Sequence, residues 1–115
     1  MPSTSIDLTF LERFCSGDRA RMARYVGMYL EGAPAMFDRL ADLQEAGDSD
    51  GLVVAAHSLR PQVHYMGAQA LFDLLTDVET RARAEGAAAC REAVPAAIAL
   101  NATVMEELRS WAGTG

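Results

Sequence analysis

Apolar residues recur along this chain at alternating steps of three and four, the spacing that gathers them on one side of an α-helix. Met22, Val26, Tyr29, Ala33, Met36, Leu40 and Leu43 make one such stripe. Leu52, Ala56, Leu59, Val63 and Met66 make a second, Leu71, Leu75, Val78 and Ala82 a third, and Val94, Ile98, Met105 and Leu108 a fourth. The intervals are punctuated by "SGD" at 16–18, "AGDSDG" at 46–51, Gly67 and "EGA" at 85–87. Each supplies a glycine suited to a helix end, and two supply an aspartate suited to the next N-cap. The pattern predicts bundle helices over about 19–45, 49–65, 68–85 and 88–110. "IDLTFLERF" at 6–14 carries Ile6, Phe10 and Phe14 at steps of four and predicts a short extra helix laid across one end. Short loops between long amphipathic helices set sequence neighbours side by side. The expected fold is therefore all-α, an antiparallel up-down-up-down four-helix bundle with a short N-terminal helix, as one domain over residues 1–115. Pro34 and Pro95 fall inside periodic stretches, where each is expected to remove one backbone hydrogen bond and kink its helix.

Composition strengthens this picture and removes several functions. Half of the residues are apolar, alanine is abundant, and β-branched and aromatic residues are sparse, which favours helix over strand. The formal charge is −6 and the chain has no lysine, so it lacks the concentrated basic surface that nucleic acid requires. Cys15 and Cys90 follow neither a C-x-x-C pattern nor the dense spacing of secreted domains, so reduced, partly buried thiols and a cytoplasmic chain are expected. No run approaches the ~20 apolar residues of a membrane span. The N-terminus "MPSTSIDLTF" lacks a basic region followed by a long apolar stretch, so neither export nor membrane attachment is expected.

The chemistry is concentrated in "VVAAHSLRPQVHYMGA", residues 53–68. At about 100° per residue, His57 falls roughly 140° from the centre of the core stripe on its helix and so points outward. Val53 lies near 100°, Pro61 near 180° and Val54 near 200° on the same scale, an apolar border around one ionisable ring. Such a grouping predicts a docking patch. Arg60, one turn beyond His57, is placed to neutralise an anion formed on that ring. On the next helix Phe72, Thr76, Glu79 and Arg83 form a stripe roughly 80–140° from Leu71, which predicts a second edge to the patch. Arg81 points elsewhere. His64 follows His57 by seven residues, two turns or ~10 Å along the axis, too far for one metal to take both. H-E-x-x-H and Glu-x-x-His patterns are absent, so no metal is expected and His64 is assigned to the rim of the patch.

These residues carry a resemblance. "AAHSLRPQVHYMGAQALFDLLTDVETRARAEG" resembles the centre of a histidine phosphotransfer (HPt) domain. The family pattern is an alanine, the phosphorylated histidine, an apolar residue two positions on and a basic residue at the third. A glycine follows at the tenth position, and then a leucine-rich helix. Ala56, His57, Leu59, Arg60, Gly67 and Leu71 match in that order. The likeness extends over "YLEGAPAMFDRLADLQEA" and "GDSDGL", from about residue 17 to 86. It implies a phosphorelay intermediate. His57 would accept a phosphoryl group from a receiver-domain aspartate or a kinase and pass it to another receiver, with Arg60 neutralising charge.

The resemblance also implies which groups belong to the partner. Response-regulator receiver domains and a sensor or hybrid histidine kinase are the implied partners of a monomer. Mg²⁺ and the acidic pocket would belong to the receiver, and the chain would need no cofactor of its own. Val53, Val54, Pro61, His64, Phe72, Glu79 and Arg83 would dock the partner, and Gly67 would serve structure. A helical adaptor that docks receivers or kinases without being phosphorylated is the alternative. The chain departs from the family twice. Arg60 stands where lysine is common and keeps the charge as a planar fork. Pro61 stands where glycine is common, and leaves the His57 carbonyl without its helical donor.

Overall fold

The computed structural model describes residues 5–113. Five helices follow one another, and no strand occurs among the described residues: α1 (Thr9–Phe14), α2 (Arg19–Glu45), α3 (Ser49–Tyr65), α4 (Gln69–Glu85) and α5 (Ala93–Gly113). Asp18 and Asp48 cap α2 and α3 through hydrogen bonds from the Arg21 and Gly51 amides, at 3.2 and 2.9 Å. The short first helix starts at Thr9 rather than residue 6, because the Asp7 carboxylate accepts from the amide and hydroxyl of Thr9 and so turns the chain there. The last helix starts at Ala93 rather than 88, because Ala87–Cys90 wind as a tighter 3₁₀ turn. Pro95 therefore sits in the first turn of α5, where its missing N–H has no acceptor to lose; the kink expected there has no cause. Pro34 does lie within α2, which continues as helix on both sides of it.

Each long helix has two long neighbours. α2 packs on α3 and α5, and α4 packs on the same two, closing a ring around one core. That core contains all of the α3 stripe and all of the α4 stripe. In α2 Phe37 is buried while Met36 is only half-buried, since a 3.6-residue period drifts from a strict three-four alternation over so long a helix. In α5 the buried positions are Val94, Ala97, Asn101, Val104, Met105 and Leu108, with Ile98 half-buried.

A buried polar pair joins α2 to α5, and a second polar contact lies within α5 beside it. The Tyr29 hydroxyl donates to Asn101 Oδ1 at 2.5 Å, and Asn101 Nδ2 donates to Met105 Sδ at 3.3 Å. Burial pushes the Tyr29 phenol well above its ordinary pKa, so it remains a neutral donor. Both cysteines are buried free thiols; Cys90 Sγ donates to the Val78 carbonyl at 3.4 Å, and burial raises its pKa.

α1 is tied to the end of the bundle at Gly67. The Asp7 amide donates to the Gly67 carbonyl at 3.0 Å, and Gly67 has φ +65°. A Cβ on Gly67 would stand 1.7 Å from the Asp7 carbonyl oxygen, inside backbone that cannot yield. Gly67→Ala should therefore lower Tm by roughly 10 °C, from a strain on the order of 2 kcal/mol. A thermal melt within 2 °C of the parent would show that the α1 tether contributes nothing to stability.

Candidate functional site

His57 stands in the middle of α3 with its side chain 68% exposed. Its ring leans towards α4, where Nδ1 lies 3.3 Å from Glu79 Oε1. The same oxygen accepts from Arg60 Nη1 at 3.0 Å, and Glu79 Oε2 accepts from Arg83 Nη2 at 3.0 Å. The carboxylate is thus the hub of the cluster, and its side chain is only 8% exposed. Burial acts to raise the Glu79 pKa, but the hydrogen bonds from Arg83, Arg60 and His57 outweigh it and hold the group below the ordinary carboxylate value. Glu79 is consequently ionised and can only accept, so the proton of a neutral His57 ring belongs on Nδ1. Nε2 is left with the lone pair.

The Arg60 guanidinium also lies 4.9 Å over the ring of Phe72, while its buried Nε has no protein partner. His57, Arg60, Pro61, His64 and Phe72 together line a shallow depression of about 380 Å³. His64 and Phe72 also line a second hollow with Phe10, Asp7 and Gln69. The His64 ring is 4.8 Å from that of Phe10 and 6.1 Å from that of Phe72.

Several expected docking residues occupy other surroundings. Glu79 is buried beneath His57, Arg60 and Arg83 and offers a partner no surface of its own, because α4 packs so closely on α3 that this edge of its stripe lies inside the contact. Val53 and Phe72 are half-buried against the core. Val54 is 65% exposed, but lines a different groove, between α2 and α3, with Met36, Arg39 and Ser58. Arg81 pairs with Asp77 at 2.8 Å, away from the cluster. Phe10 was not foreseen at this surface; its step of four to Phe14 marks a helix face without saying what that face meets. Among the described residues no group of three metal-ligating side chains gathers, and no helix is long and apolar enough to cross a membrane.

An outward histidine on α3, a basic residue one turn on and a glycine closing the helix describe one family, and the sequence matches the Hpt domain over residues 24–111. The chain belongs to the Hpt domain family. Hpt domains are phosphotransfer modules of two-component signalling without independent catalysis, and they interact with receiver domains and histidine kinases. Comparison with curated proteins and with solved structures gave no match.

The depressed pKa of Glu79 has a defined sign for this Hpt domain. Its pairing stabilises the fold above the ordinary carboxylate value of 4.5 and is lost as pH falls through the lower folded value. Thermal melts from pH 7 to 3 should fall more steeply for the parent than for Glu79→Gln, and parallel curves would refute the coupling. In the same variant, ¹⁵N shifts of His57 should move from the Nδ1–H tautomer towards the ordinary mixture.

Proposed function

We propose that this Hpt domain is a phosphorelay intermediate that carries its phosphoryl group on His57 Nε2. The observation that supports it most is the exposed ring whose Nδ1 faces an ionised, buried Glu79 between two arginines. The Nε2 lone pair attacks the phosphorus of an aspartyl phosphate on a receiver. The N–P bond forms, the P–O bond to the aspartate breaks, and the carboxylate leaves with its electron pair. The imidazole gains positive charge as this happens, and Glu79, already bonded to the Nδ1 proton, stabilises it. Passing the group to a second receiver is the reverse of these steps.

Arg60 and Arg83 supply positive charge beside the incoming anion. Gly67 serves structure, and Pro61, His64 and Phe72 offer the apolar and aromatic border on which a receiver docks. Mg²⁺ and the acidic pocket belong to the receiver, and the Hpt domain brings no cofactor. On this reading it works in the cytoplasm as a monomer, a single antiparallel up-down-up-down domain, between a sensor or hybrid kinase and its receivers.

The test is incubation with a receiver carrying labelled phosphate on its aspartate. Acid-labile, base-stable label should appear on His57 and vanish in His57→Gln. Label at His64, or none on His57 with receiver binding retained, would make the domain an adaptor instead. Arg60→Ala should still be labelled, about tenfold more slowly, the loss expected for one charge-assisted hydrogen bond; parental rate and phosphohistidine lifetime would remove Arg60 from the chemistry.

A further inference from the structure

Pro61 lines the depression beside His57 and has no part in the steps above. It lies inside α3 and has no N–H, so the carbonyl of His57, four residues back, has no i+4 donor. The stripped acceptor belongs to the residue that bears the reacting ring. Because α3 continues as helix to Tyr65, that carbonyl points along the axis towards the gap between Arg60 and Pro61. Both of these line the depression, and Pro61 is exposed. No side chain among the described residues donates to it. Arg60 and Arg83 are turned to Glu79, and Gln62 Nε2 reaches the Ser58 carbonyl at 3.4 Å and Met36 Sδ at 3.6 Å instead.

In the free domain water can meet this acceptor. A docked partner changes that. A standard interface covers about 800 Å² on each side, a disc of roughly 16 Å radius. One that brings phosphorus to Nε2 is centred on the very residue whose carbonyl lacks its i+4 donor. Water excluded there must be replaced by a donor, or docking leaves a buried acceptor unmet.

We propose that Pro61 is a specificity-determining residue: the receivers this domain serves present an N–H or O–H donor, from the loop beside their phosphorylated aspartate, to the His57 carbonyl. A receiver with no donor there is rejected by the unmet acceptor, not by a clash. Glycine at this position keeps its N–H and imposes no such demand. The inference rests on the phosphotransfer reading and adds to it a chemical requirement on the partner.

Pro61→Ala and Pro61→Leu both return an N–H to the helix, and leucine also keeps apolar bulk. The full chain is tested against purified receiver domains encoded by the same genome, with phosphoramidate as a small phosphodonor. Both variants should melt at or above the parental temperature, and in each of them transfer from the receiver should fall further than labelling by phosphoramidate. Both should bind the receiver that transfers fastest to the parent about five- to tenfold more weakly, and discriminate less among receivers. Parental affinity in Pro61→Leu with a loss in Pro61→Ala would assign the effect to the proline ring and overturn the proposal. Parental affinity in both would overturn it as well. If neither phosphoramidate nor any receiver labels His57 of the parent, the phosphotransfer reading fails, and this inference with it.

Discussion

A carboxylate taken out of water is tolerated only when its charge is met, and the surface built around His57 depends on how Glu79 satisfies that condition. Its two oxygens take one guanidinium each, and one of them also faces the imidazole. Removing a partner from such a site leaves charge uncompensated, which makes the arrangement rigid even though its outer members are wet. The consequence is positional. Arg60 comes from α3 and Arg83 from α4, yet both are fixed relative to the same ring. Glu79 thereby couples the packing of two helices to the orientation of one nucleophile.

Arginine at position 60 suits this geometry in a way lysine would not. Its planar head lies over the Phe72 ring and at the same time donates edgewise to Glu79. An ammonium group concentrates its charge at a point and has no face to stack. Phe72 is consequently more than a border residue, since its ring helps decide where the guanidinium rests. Pro61, the other departure from the usual pattern, acts on the backbone instead, and the two substitutions leave the positive charge in place while changing what surrounds it.

The four stripes were legible because burial and helical period coincide, and in α3 and α4 every residue of the stripe is in the core. The outward direction of His57 followed from the same arithmetic. What escaped was anything that depends on a neighbouring helix. Glu79 shares an angle with Thr76 and Arg83 on its own helix, but how deep that angle lies is set by α3, and carboxylates are seldom buried. Val54 was placed near His57 because both point outward from one helix, although the groove it lines opens towards α2. Alanines hid the true face of α5, where Ala97 is buried and Ile98 only partly so. Phe10 reached the His64 ring through the Asp7–Gly67 tether, a contact between segments about 60 residues apart that no local pattern encodes.

The Tyr29–Asn101 bond bears on a different problem, that of register. α5 buries Val94, Ala97, Asn101, Val104, Met105 and Leu108, so one polar side chain stands in an otherwise apolar face. Sliding the helix by one turn, about 5.4 Å, would still set apolar residues against apolar neighbours along most of that face. A buried hydroxyl and a buried amide permit no such shift, because away from their single matching position both would be stranded in hydrocarbon. The pair acts as a locking pin between α2 and α5, selecting one alignment among several that hydrophobic burial alone would accept.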